Sequence, residues 1–194
     1  MPELCLETDR LIIALPQAED ATLALPFLLL NREHFARWRP PEPEQFLTQA
    51  YWDQQIPLTH ANFAAGTQIR FWIWAKDAPS QIIGTIGFSQ IFRGPFSSCM
   101  LGYQIGHAYE GKGLMREALH AAIRYMFTVQ RLHRIAASYR PENVRSGRLL
   151  SRLGFAIDGF SKQYLFIDGA WRDHILTSLV NDKFQPDWIG STKP

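Results

Sequence analysis

The 194 residues, 46% of them hydrophobic and 20% charged, suffice for one domain and exclude a disordered chain. The longest apolar stretch, Leu23 to Leu30, is interrupted by Pro26 and falls far short of the ~20 residues that cross a bilayer; Met1 to Cys5 shows no export signal, so a cytoplasmic protein without a membrane span is expected. A net charge of +2 and only two cysteines, Cys5 and Cys99, argue against bulk nucleic-acid binding and against a disulfide scaffold, and free thiols are expected.

In chain order, Arg10 to Leu15 reads as a strand, and Pro16 with Asp20 opens a helical stretch towards Trp38 that Pro26 should kink or restart. Arg37 to Pro43 must be a loop, and a second helix covers Glu44 to Ala65 and stops at Gly66. Three strands follow at Gln68 to Ala75, Ile82 to Ile91 and Ser98 to Gly106, parted by turn formers at Asp77 to Ser80 and Gly94-Pro95. After Gly113 the period becomes helical: Met115, Ala118, Leu119, Ala122, Ile123 and Met126 share a face, while Arg116, His120 and Arg124 point elsewhere. Arg134 to Tyr139 is a strand and Asn143 to Leu153 a helix, capped by Asn143 and stopped at Gly154. A hairpin of Phe160 to Ile167 and Trp171 to Val180 turns at Asp168-Gly169. Residues 1–180 are thus read as one domain and 181–194 as a polar tail.

The charge is uneven. Residues 1–96 hold 7 Lys and Arg against 10 Asp and Glu, and residues 97–194 hold 13 against 8. The positive half also contains Gly102 to Gly106 followed by Glu110-Gly111-Lys112-Gly113-Leu114-Met115, a strand feeding a glycine loop that opens a helix. Glycines let backbone approach a ligand, and the free amides of a first helical turn attract anions, so a pyrophosphate suits this loop. Lys112 lies between the glycines and no Gly-Lys-Ser/Thr or GxGxxG occurs, which turns the reading away from ATP and NAD.

The order strand, glycine loop, amphipathic helix, strand, and then Asn143, Ser146, Leu149, Leu153, Gly154 and Phe155 resembles the GCN5-related N-acetyltransferases (GNAT). Within them, Gly102-Tyr103, Gly111 to Met115, His133-Arg134-Ile135 and Ile167-Asp168-Gly169 with Trp171 to His174 look like the RimJ/RimL group that modifies ribosomal proteins. The resemblance covers essentially the whole chain, densely from Gly84 onward. It implies an α/β (α+β) fold with a single mixed, centrally splayed sheet flanked by helices. It also implies an acetyl-CoA-dependent enzyme acting on the N-terminal amine of a ribosomal protein, alanine by preference, as a monomer or homodimer. Cofactor contacts would come from Ile105, Glu110, Gly111, Lys112, Gly113, Leu114, Met115 and Asn143. Relatives carry Gln or Arg where Glu110 stands, so that carboxylate should weaken pyrophosphate binding unless it turns to solvent. Met115 is bulky at a place of close approach.

The resemblance further implies direct attack by a neutral amine, with strand amides as an oxyanion hole and Ser146 giving a proton to the departing thiolate. The alternative for Ser146 is a capping bond back to the Asn143 amide. Trp38, Trp52, Phe88, Tyr139 and Tyr164 are expected to line the acceptor cleft. The family's glutamate base falls at Leu165, beside Tyr164, so the base is unassigned, with Asp173 as one carboxylate that could intervene. An α-amine of pKa about 8 needs roughly 1.4 kcal/mol to deprotonate at pH 7, and a lysine at about 10.4 roughly 4.6, which favours a protein N-terminus as acceptor. No metal is expected, because His-x-x-x-His and Cys-x-x-Cys are absent. The competing readings are a GNAT acetylating a small amine, polyamine or antibiotic, and a non-catalytic ribosome-assembly or RNA-binding factor using the Arg-rich half.

Overall fold

A computed structural model describes residues 4–189; the start of the amino-terminal segment and residues 190–194 of the expected tail lie outside the described residues. Thirteen main elements run in the order β1 (Cys5–Glu7), β2 (Leu11–Ala14), α1 (Ala21–Leu30), α2 (Arg32–Ala36), α3 (Gln49–Ala65), β3 (Ile69–Ala75), β4 (Ala78–Phe92), β5 (Ser98–Ile105), α4 (Leu114–Thr128), β6 (Arg134–Tyr139), α5 (Val144–Arg152), β7 (Ala156–Ile167) and β8 (Ala170–Val180). The strands form one eight-stranded sheet, ordered β1-β2-β3-β4-β5-β6-β8-β7. Every pairing is antiparallel except β5 with β6. The mixed sheet expected from the sequence is therefore present.

Both faces of the sheet are covered, and strand alternation sorts the side chains. On β3, Phe71 and Ile73 join a core under α4 that includes Ile86, Leu101, Leu119 and Met126. Trp72 and Trp74 point the other way, into a second core with Phe27, Phe35, Phe46 and Trp52 from the α1–α3 layer. The apolar face of α4 buries Ala118, Leu119, Ala122, Ile123 and Met126, as its periodicity requires.

The sheet opens at its centre. β5 and β6 pair from Ser98↔Arg134 to Leu101↔Ala137 and no further. Beyond that point each strand has a partner on its outer side: β5 reaches Ile105↔Gly84 on β4, and β6 reaches Tyr139↔Ile175 on β8. The outer ladders hold the two ends apart, leaving inner backbone of Gly102–Ile105 without a neighbouring strand. This is the splay the family resemblance implied.

Several boundaries depart from the sequence reading. Pro26 sits inside α1, and the helix breaks instead at Asn31. Asn31 is buried; its side chain donates to the Phe27 carbonyl at 2.8 Å and accepts from the His107 amide at 2.9 Å, so the break is fixed by a tertiary partner. The expected helix from Glu44 divides into a 3₁₀ turn at Glu44–Leu47 and α3, whose Thr48 cap accepts from the Tyr51 amide and whose end is Gly66 at φ 69°. The turn after β3 is tighter than Asp77 to Ser80, since β4 already begins at Ala78. Asp168 and Gly169 make the β7–β8 turn with φ 51° and 71°, as their residue types demand. Over the described part of the expected tail, Asn181 is buried, donating to the Leu132 carbonyl at 3.1 Å, and Phe184 packs against both His133 and Trp188.

Candidate active site

The glycine loop is held from below by the amino-terminal strands. Arg10, just before β2, donates to the Lys112 carbonyl at 3.1 Å and pairs with Glu117 of α4 at 2.6 Å. Although burial works against it, hydrogen bonds from Thr8 and Arg10 hold the Glu117 carboxyl below the usual range, so this anchor stays charged. Gly111 and Gly113 have φ 73° and 76°, a conformation glycine adopts without strain. The backbone amides of Gly111, Lys112 and Gly113 have no acceptor among the described residues, and α4 has no side-chain N-cap. A run of unpartnered donors at a helix start is a fit for a diphosphate.

This loop forms one end of a cleft of about 1440 Å³ that follows the splay. Ile105, Glu110, Gly111, Gly113, Leu114, Met115, Asn143, Ser146, Trp38, Trp52 and Tyr139 all line it. Lys112 does not: its ammonium lies 5.4 Å from the Tyr109 ring centre and only its backbone serves the loop. Met115 is no obstruction, because its side chain is buried in the core while its amide stays at the helix start. Phe88 must be corrected. It is fully buried between the sheet and α4 and lines no cleft. Tyr164 also stops short of the cleft wall, packing against His174 with ring centres 5.4 Å apart. Neither Leu165 nor Asp173 lines the cleft, and the Asp173 carboxylate accepts from the Gln163 amide at 2.8 Å.

Ser146 is freed from capping duty by its neighbour. The Asn143 carboxamide oxygen accepts from the Ser146 amide at 3.1 Å, which leaves the serine hydroxyl to meet the Tyr103 hydroxyl at 2.6 Å. Asn143 therefore supports Ser146 from within the helix cap. Tyr103 lies on β5, 43 positions before its partner, where spacing along the chain does not mark it. Burial pushes its phenol up to about 12, with the Ser146 hydrogen bond pulling the other way, so it stays protonated at neutral pH. Either hydroxyl can donate across this pair, and with Tyr103 as the donor the serine proton is left for the cleft. On α5, Gly147 has Tyr139 against it: a β-carbon there would lie 2.7 Å from the ring, so only glycine permits this approach. Cys99 is buried outside the cleft, its thiol pushed up to about 12, again by burial, which removes an acyl-cysteine route.

Glu110 turns neither to solvent nor towards the loop amides. His34 Nε2 and His107 Nδ1 each lie 3.3 Å from it, and the Arg145 guanidinium of α5 closes on the same carboxylate. His34, His107 and Glu110 thus bring ligand-type atoms within 4.8 Å of one another, a grouping that linear spacing concealed. Arg140 is a second residue the sequence did not mark. It donates to the Arg37 carbonyl at 2.7 Å and lies over the Trp38 ring at 5.4 Å, holding the loop after α2 across the cleft.

A family model for the acetyltransferase (GNAT) domain matches residues 10–156. The ribosomal protein uS5-alanine N-acetyltransferase of Escherichia coli K12 is 43% identical over 188 residues, covering 97% of this chain and 94% of that protein. Among solved structures, ribosomal-protein-S5-alanine acetyltransferase from Vibrio fischeri has a TM-score of 0.90 at 37% identity, over 94% of this chain and 100% of that one. Mycobacterium smegmatis RimJ in complex with CoA-disulfide has a TM-score of 0.83 at 26% identity, over 92% and 86%. A sheet splayed beside unpartnered loop amides, found in a sequence that aligns almost end to end with such a relative, places this chain in the GNAT acetyltransferase family.

Proposed function

We propose that this chain binds acetyl-CoA and transfers its acetyl group to the N-terminal α-amine of a ribosomal protein, alanine by preference, in the cytoplasm. The observation that carries the reading is the Tyr103–Ser146 hydroxyl pair beside the splay, in one cleft with the donor loop of Gly111 to Met115. The pantetheine arm would add to the free edge of Gly102–Ile105 as an extra strand, and the diphosphate would take the loop amides. The amine attacks the thioester directly, strand amides receive the developing oxyanion, and Ser146, backed by Tyr103, protonates the thiolate. The similar Escherichia coli protein bears the name of a uS5-alanine N-acetyltransferase, which supports alanine as the acceptor terminus.

The cleft wall has eight arginines against four glutamates. Such a wall favours an anionic cofactor and repels a polycation, which counts against a polyamine acceptor. Thiol release from acetyl-CoA should be fastest with peptides beginning in alanine and weak with spermidine or with amino-blocked, lysine-containing peptides. Preference for either of the latter two would overturn the acceptor assignment.

A further inference from the structure

The general base is missing from the family position, since Leu165 stands outside the cleft. The four glutamates of the cleft do not replace it. Glu110, Glu42 and Glu142 are each paired with an arginine, and Glu33 is exposed on the short helix α2. His174 on β8 is different. It is 3% exposed yet lines the cleft, so what little of it is accessible is at the cleft wall.

Its tautomer follows from its partner. Nδ1 lies 3.1 Å from the Arg172 carbonyl oxygen, and a carbonyl can only accept, so the proton is on Nδ1 and the lone pair on Nε2. Nε2 has no hydrogen-bond partner among the described residues. The Tyr164 ring, 5.4 Å away and tilted by 54°, fixes the imidazole plane. β8 pairs with β6 as far as Tyr139↔Ile175, which puts His174 one residue past the last pair, at the open end of the splay. Ile175 faces the same side as Tyr139 and Val144, towards α5, so strand alternation turns His174 to the opposite face. The hydroxyl pair on the α5 side and an unpaired imidazole nitrogen on the other are thus set about one opening.

We propose that His174 Nε2 is the general base that takes the proton from the acceptor amine, an inference that rests on reading this cleft as an N-acetyltransferase site. Nε2 takes a proton from the acceptor ammonium, the neutral amine nitrogen bonds to the thioester carbonyl carbon, and the excess proton of the adduct passes to solvent. The C–S bond breaks, the thiolate takes a proton from the Ser146–Tyr103 pair, and solvent restores that proton while removing the one on His174. Amine and thioester are thereby converted to amide and thiol with no other reactant. A neutral imidazole is the side chain best matched to an α-amine near neutral pH. The titratable and charged groups around it are Tyr164 on β7, Arg172 and Asp173 on its own strand, and, in the same cleft, Arg37, Arg39 with Glu42, and Arg140 with Glu142.

The test is His174→Gln, which keeps polarity and approximate size, with kcat/KM measured from pH 6 to 9.5 on an alanine-initiated peptide. A lost base predicts a fall of about 100-fold at pH 7 that shrinks to under about tenfold by pH 9.5, where an amine of pKa about 8 is already neutral. The melting temperature and acetyl-CoA affinity should hold, and added imidazole should restore turnover in His174→Gly. A variant within about threefold of wild type at pH 7, or a deficit constant across pH and unrescued by imidazole, overturns the assignment. Wild-type thiol release, run alongside, separates the failures: absence of that signal removes the enzyme reading and the base together, whereas normal wild-type turnover with an unimpaired variant removes the base alone.

Discussion

The Ser146 hydroxyl meets that of Tyr103, a residue 43 positions earlier, and neither side chain is informative alone. Tyr103→Phe removes the hydroxyl paired with Ser146 but keeps the ring, so kcat should fall about tenfold with acetyl-CoA affinity unchanged; Ser146→Ala should fall further, by about 100-fold, and the double variant should match Ser146→Ala. Additive losses in steady-state kinetics would show two independent groups instead of one unit. The same burial has a stability consequence. The folded phenol titrates at about 12, above its ordinary 10.0, so its contribution is intact below pH 10 and is lost as pH rises through about 12. Melting curves between pH 9 and 12 should decline less steeply for Tyr103→Phe. Cys99, buried and likewise raised to about 12, should resist alkylation in the native protein while the exposed Cys5 reacts; mass spectrometry of labelled peptides reads this directly.

At the scale of elements, α5 is a nine-residue helix that packs Leu149 and Leu150 on the core and is adjusted by two further contacts. Asn143 caps it, and Asn143→Ala should cost about 1 kcal/mol in denaturant unfolding while also lowering turnover, because Ser146 sits in the capped turn. Gly147 lets the helix approach Tyr139, and Gly147→Ala would force ring and helix apart at a cost of about 1–3 kcal/mol. The sequence motif from Asn143 to Phe155 marked this helix correctly, cap and glycine stop included. What the motif omitted was the direction of the capping bond: the Asn143 side chain accepts from the Ser146 backbone, and the serine hydroxyl is left free for Tyr103. Helix breaks were harder to read. Pro26 looked like the interruption, but Asn31 breaks the chain because the His107 amide needs its oxygen.

Across the whole molecule, Glu110 joins three regions through His34 of α2, His107 just before the glycine loop and Arg145 of α5. Its carboxylate is paired with the Arg145 guanidinium and turned towards two imidazoles, so the weakening of cofactor binding expected from a glutamate at that place should not appear. Glu110→Gln should change acetyl-CoA affinity by less than about tenfold, or 1.4 kcal/mol, in calorimetry, while hydrogen exchange in residues 31–41 rises. A much tighter cofactor in the variant would show that the carboxylate does oppose the diphosphate. The amino-terminal strands belong to the same scaffold: Arg10 fixes the glycine loop from 102 residues away through the Lys112 carbonyl.

Local chemistry was legible in the linear sequence: the period of α4, the turn at Asp168-Gly169, the glycine loop and the Asn143-to-Phe155 helix all follow from residues within a few positions of one another. The same residues carry the family resemblance that implied the mixed, splayed sheet, and the glycine loop is where an anion site was expected. Only the tertiary structure decided which side chains reach the cleft, because burial is set by which face of the sheet a residue takes. It sent Phe88 into the core, joined Tyr103 to Ser146, surrounded Glu110 with His34, His107 and Arg145, and left His174 unpaired at the cleft wall. Each of these depends on residues tens of positions apart meeting where two strands diverge, and spacing along a chain carries no record of such meetings.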